Sequence, residues 1–164
     1  MTNTLVAGVG NVFFGDDGFG IEVAARLAVE RLRDGVRVID AGIGARHLAY
    51  ELFDGGYETV ILIDAVSQGG APGTIYLIEP DVNGDGLQRT HTSQEGHRMN
   101  LETVLTLLRT LGTTAPRVLI VGCEPDRLDE AMGLSAPVAG AVEEALALVR
   151  NLVAATPRRP GAYA

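Results

Sequence analysis

Leu5-Val6-Ala7-Gly8-Val9-Gly10-Asn11 is an apolar run that breaks into a glycine turn, and a helical pattern begins soon after, at Gly18 or Phe19. A buried strand feeding a helix through a short turn is the first half of a β-α-β unit, and it decides how the rest is read. The helix carries Ile21, Ala24, Ala25, Leu27, Ala28 and Leu32 on one face and Glu22, Arg26, Glu30 and Arg33 on the other, with Asp34-Gly35 as its stop. Val36 to Ile39 is a second strand. Ala45 to Phe53 is a second helix closed by Asp54-Gly55-Gly56, and Thr59 to Ile63 is a third, central strand ending at Asp64. Behind Gly69-Gly70-Ala71-Pro72-Gly73, Thr74 to Ile78 forms a fourth strand. A parallel return needs roughly a dozen connecting residues, so this strand runs antiparallel or lies at the edge.

Outward from there, Pro80 to Gly96 is the longest irregular stretch. A third helix carries Leu101, Val104, Leu105, Leu107 and Leu108, either capped by Asn100 or starting a turn earlier with His97 inside it. Val118 to Val121 is the fifth strand, ended by Gly122-Cys123-Glu124-Pro125, and Ala136 to Val153 is a last helix entered through Ser135 and Pro137. The expected architecture is α/β: a three-layer sandwich with a five-stranded, mostly parallel, twisted sheet, one antiparallel strand and helices on both faces. One domain is expected over 1–155, with a frayed tail over 156–164.

Composition narrows the function classes. The 164 residues have 46% hydrophobic and 21% charged side chains, which suits a compact globular domain and not a disordered chain. All 13 basic residues are arginines, which removes lysine-dependent phosphate loops and Schiff-base chemistry. The net charge of −8 argues against a nucleic-acid partner, because such proteins need cationic surface to displace counterions. A single cysteine, Cys123, allows no intrachain disulfide and no cysteine-rich zinc site. No stretch reaches the roughly 18 apolar residues of a membrane span, and nothing at the N-terminus reads as a signal peptide, so no membrane association and a cytoplasmic location are expected.

Gly8-Val9-Gly10-Asn11-Val12-Phe13 begins like a dinucleotide fingerprint but has Phe13 where the third glycine belongs. The acidic pair Asp16-Asp17 in that turn would also repel a pyrophosphate. The plain alternative is that both aspartates cap the following helix. Asp64, at the carboxyl end of the central strand, and Asp17, in the loop after strand one, fall on the same sheet edge if the two strands are parallel neighbours, and ligand crevices of open α/β sheets form there. Of the histidines, His47 lies in the pattern of the second helix, His91 is ambiguous, and His97 opens the third helix, from which a ring nitrogen can reach the sheet edge. Two carboxylates and one imidazole suit a borderline divalent ion such as nickel or zinc and leave coordination positions open. Cys123 reads as buried and inert, and no serine lies in a Gly-x-Ser-x-Gly elbow.

From Leu5 to Val149 the motifs resemble those of the nickel-iron hydrogenase maturation endopeptidases. They are Gly8-Val9-Gly10-Asn11, Gly15-Asp16-Asp17-Gly18-Phe19-Gly20, Val38-Ile39-Asp40-Ala41-Gly42, Ile63-Asp64-Ala65 and His97, with Pro72-Gly73-Thr74, Gly122-Cys123-Glu124-Pro125 and Gly133-Leu134-Ser135 behind them. The resemblance implies a metal-binding trio of Asp17, Asp64 and His97, shaped by a loop containing Gly8, Gly10, Asn11, Asp16 and Gly18. Asp40 joins the trio as a candidate catalytic group. It further implies removal of a C-terminal extension from the immature large subunit of a nickel-iron hydrogenase. The nickel would be contributed by that substrate, with no resident catalytic metal, and the enzyme would be a monomer. Two other readings remain at this level: a nickel-sensing chaperone or checkpoint for the same precursor that does not cut, and a free-standing metallohydrolase acting on small peptides.

Overall fold

The computed structural model describes residues 3–42, 45–81, 101–110 and 115–157. In chain order they form β1 (Thr4–Val9), a 3-10 turn (Gly15–Gly18), α1 (Phe19–Ala28), β2 (Val36–Gly42), α2 (Ala45–Asp54), β3 (Thr59–Ala65), β4 (Ile75–Ile78), α3 (Leu101–Thr110), β5 (Arg117–Cys123) and α4 (Ala136–Ala155). The five strands make one sheet in the order β2-β1-β3-β5-β4. Four are parallel, and β4 alone runs antiparallel, paired with β5 at the edge through Ile75↔Cys123 and Ile78↔Ile120. The expected α/β sandwich is therefore the one observed.

Strand periodicity builds both layers of core from the same residues. Leu5, Ala7, Val9, Val60, Leu62, Val118 and Ile120 point to the face covered by α2 and α3, where they meet Leu48, Leu52, Leu105 and Leu108. The alternate residues Val6, Ile61, Ile63, Leu119, Val121 and Cys123 point to the other face, against Phe19, Val23 and Leu27 of α1 and Val142, Leu146 and Val149 of α4. Strands buried on both sides read as unbroken apolar runs for this reason. Among the described residues no helix is long and apolar enough to cross a membrane.

The first helix differs from the sequence expectation in phase and length. Its buried stripe is Phe19, Gly20, Val23, Ala24 and Leu27, whereas Ala25 and Ala28 face outward and Leu32 lies beyond the end. Alanine is small enough to sit on either face, so the large residues at i, i+4 and i+8 set the phase. Thr156 is the first residue of the tail expected over 156–164. It is buried, its Oγ1 donates to Val153 O at 2.8 Å, and Arg33 Nη2 donates to its carbonyl at 3.0 Å and to its hydroxyl. Arg33, assigned to the outer face of α1, is drawn inward by this contact. Residues 158–164 lie outside the described set.

Candidate functional site

The chain leaves β1 for β2 on one side and returns to β3 on the other, so the sheet order reverses between β1 and β3. A crevice opens at the carboxyl edge wherever the order reverses in this way. Asp17 and Asp64 lie there. Gly10, just past the end of β1, separates them: a Cβ on it would stand 1.9 Å from the main-chain oxygen of Asp17 and 3.7 Å from Oδ1 of Asp64. Its φ of +133° and this crowding both demand glycine. The adjoining Asn11 N–H donates to Asp17 Oδ2 at 3.0 Å and to Asp17 O at 3.2 Å, and Ala65 N–H donates to Asp64 Oδ1 at 2.8 Å. Both aspartates are almost covered, at 8% and 7% exposure, so their orientation is set by main chain.

Asp40 reaches the same edge by another route. It lies two residues before the end of β2, opposite Gly8 of β1, is exposed, and accepts from Gly42 N–H at 2.7 Å through Oδ1. His97 and His91 fall outside the described residues, and His47 is exposed on α2. Among the described residues no three side chains of the metal-binding types come together. What converges around Gly10 is a pair of mostly buried carboxylates, Asp17 and Asp64, while Asp40 is exposed near the same end of the neighbouring strand β2. Oxygen donors of this kind can hold a cation or take up a proton, and crowding them at one edge favours whatever brings positive charge.

Asp16 has a different role from its neighbour. Neither aspartate caps α1 with its side chain, because Gly18 holds the cap position without a side-chain bond. Asp16 is fully buried, and its carboxylate accepts from Asp126 N at 2.8 Å, Arg127 N at 2.9 Å, Ser135 N at 2.7 Å and Ser135 Oγ at 2.8 Å. Burial pushes its carboxyl group up, yet the bonds from Arg127, Ser135 and Asp126 more than offset this and hold it below the usual aspartate value. It therefore ties the turn before α1 to the loop between β5 and α4. Ser135 holds the N-cap position of α4 and gives its hydroxyl hydrogen bond to Asp16, not to the helix.

Glu124 was named in the sequence only as part of a strand-ending motif. It is buried, and its carboxylate accepts from Gln68 N at 2.7 Å, Gly69 N at 3.3 Å and Tyr76 Oη at 2.9 Å. It shapes the loop that leaves β3 just beyond Asp64. The only available signal was a charged residue directly after a wholly apolar strand. Cys123 is fully buried, and burial first, then the charges of Asp16, Glu124 and Glu144, push its thiol up to about 12. A thiol so disfavoured as thiolate is no nucleophile.

The dinucleotide reading failed at Phe13, and the structure shows where the close helix–strand approach is made. Gly20 of α1 rests on the sheet edge, where a Cβ would stand 2.0 Å from Ile63 O and 2.4 Å from Val9 O, and Gly8 of β1 faces Gly20 O and Ala24 in return.

Known proteins share this fold. The profile of the hydrogenase maturation protease family matches residues 21–152. The hydrogenase 2 maturation protease of Escherichia coli is 31% identical over 161 residues, covering 94% of this chain and 95% of its own. Among solved structures, the hydrogenase-maturating endopeptidase HybD of Escherichia coli superposes with a TM-score of 0.74 at 29% identity, over 90% of this chain and 89% of that one. The hydrogenase 2 maturation peptidase of Thaumarchaeota archaeon SCGC_AB-539-E09 does so with a TM-score of 0.68 at 34% identity, over 92% and 97%. With a crevice at the β1/β3 switch point, paired carboxylates beside Gly10 and a family match over most of its length, the chain belongs to the hydrogenase maturation proteases.

Proposed function

We propose that this protease removes the C-terminal extension of the immature large subunit of a nickel-iron hydrogenase, and that it recognises nickel already installed in that substrate through Asp17, Asp64 and His97. The observation that carries the reading is the meeting of Asp17 and Asp64 around Gly10 at the switch point. Two carboxylates fixed by main-chain N–H groups can share an ion whose other ligands come from the substrate. A resident metal is not needed for this. Family membership supports cutting over merely holding the precursor. Asp40, exposed near the carboxyl end of β2, is the further carboxylate available at this edge of the sheet to orient or deprotonate a water for attack on the scissile amide.

The test mixes the purified chain with nickel-loaded precursor and weighs the products by mass spectrometry. The wild-type protein should shorten the nickel-loaded precursor and leave the nickel-free one intact. Asp17→Asn, Asp64→Asn and His97→Ala should each reduce processing at least 100-fold while melting within a few degrees of the parent. Normal processing by all three variants would remove the site, and equal cutting of both precursor forms would remove the nickel requirement.

A further inference from the structure

Four of the eight large apolar side chains exposed among the described residues belong to one place: Val12, Phe13, Phe14 and Met132. The loop after β1 and the loop between β5 and α4 meet there, with Ala131 N–H donating to Phe13 O at 3.0 Å and Gly15 N–H donating to Ala131 O at 2.8 Å. Phe13 is 56% exposed and Met132 68% exposed, although the backbone beneath them is firmly held. Phe13 N–H donates to Asn11 Oδ1 at 2.9 Å, Phe14 N–H donates to Asn11 O at 3.1 Å, and Asp16 clamps the far side from below. Aromatic and methionine side chains presented on a rigid support are poor for solubility and good for binding, because little order is left to impose on them.

We infer that this patch is the docking surface for the precursor, and that it takes a segment of that protein carrying apolar side chains between basic ones. The proposal rests on the proposed function and names where that substrate is gripped. Two observations select the occupant. The patch stands on the loop that holds Asp17: Val12 lies against Gly18, and Asn11, next to it, donates its N–H to the Asp17 carboxylate, so a chain gripped there lies next to the carboxylate pair. Its flank is acidic: Asp126, Asp129 and Glu130 are exposed on the same loop, against one exposed cation, Arg127. Acidic borders around an apolar centre favour arginine and lysine on the partner and make association depend on salt. Asn11 thus serves both parts, fixing Asp17 with its main-chain N–H and Phe13 with its side chain.

The experiment measures affinity for the full-length nickel-loaded precursor and its processing in the same samples. Phe13→Ser and Met132→Ser should each weaken binding about tenfold and raise KM in proportion, with kcat within twofold and the melting temperature unchanged. Reversal of the flank in Asp129→Arg/Glu130→Arg should weaken binding by a similar factor and flatten its salt dependence. Tyr50→Ser/Phe53→Ser, which removes exposed aromatics from α2, should change neither. Equal affinity of the Phe13 and Met132 variants, with the wild type still binding and cutting, overturns the docking surface and leaves the proposed function standing. A wild type that binds without cutting overturns the function, and the docking surface is then judged on the variants' affinities alone. A wild type that neither binds nor cuts overturns both. A dimer that these substitutions dissociate, with precursor affinity unchanged, assigns the patch to a second copy and also ends the proposal.

Discussion

Asp16 and Asp17 are chemically identical neighbours whose surroundings give them separate tasks. Asp17 turns toward the crevice and Asn11, while Asp16 turns away from it and accepts four hydrogen bonds from Asp126, Arg127 and Ser135. An amide in place of the Asp16 carboxylate offers one acceptor oxygen and directs an NH2 group at one or more main-chain N–H groups, which have no lone pair to give. Asp16→Asn should therefore destabilise the protein by about 3 kcal/mol, the scale of a lost charged hydrogen bond plus a buried unpaired donor. A lower urea midpoint at unchanged slope checks this, along with faster proteolysis in the loop over 126–134. Sequence spacing could locate a carboxylate in the turn before a helix but could not distinguish these roles, because every hydrogen-bond donor to the Asp16 carboxylate lies more than a hundred positions away. Asp64 was easier to read: a lone charge at the end of Val60-Ile61-Leu62-Ile63 can only mark the edge of a buried strand.

Among the elements, α1 is placed by two glycines rather than by its apolar stripe alone. Gly8 and Gly20 bring helix and sheet close enough that the loop between them delivers Asp17 beside Asp64. Alanine is the better helix former by about 1 kcal/mol, so propensity alone predicts that Gly20→Ala stabilises. Geometry predicts the reverse. The new methyl would press on the carbonyls of Ile63 and Val9, which are main chain and cannot rotate away, so α1 must shift. Gly20→Ala should cost about 2 kcal/mol net and reduce processing by displacing Asp17. Gly140 of α4 provides the contrast, since a Cβ there meets nothing within 4 Å. Gly140→Ala should raise stability by about 0.5–1 kcal/mol, and paired thermal melts compare the signs. The helices were legible from their periodicity, yet the outward turn of Ala25 and Ala28 was not. A methyl group is too small to report which face is buried, and close approach between glycines leaves no hydrophobic signature.

At the scale of the molecule, one sheet supports two cores, so neither layer can open without exposing the strands that carry the other. A buried acid on each face makes this coupling measurable at high pH. Cys123 lies in the layer under α1 and α4, where burial and nearby carboxylates push its thiol up to about 12. Tyr57 lies in the layer under α2 and α3, where burial, its hydrogen bond to Glu51 at 2.7 Å and the Glu51 charge push its hydroxyl up to about 12. Both raised values mean that the folded protein keeps a proton the unfolded chain releases, so stability falls as pH rises. The loss begins near pH 9 for the thiol and near 10 for the phenol, and it ends near 12 for both. Each group contributes a slope of at most about 1.4 kcal/mol per pH unit inside its window. Urea-unfolding free energies from pH 8 to 11 should therefore be flat at first and then decline, with Cys123→Ala removing the earlier part and Tyr57→Phe the later. Because the layers share β1, β3 and β5, tyrosinate absorbance and thiol reactivity should follow one transition at pH 10 to 11, where both groups ionise on unfolding. Separate midpoints for the two probes would show that the faces of the sheet unfold independently, which strands packed on both sides do not permit.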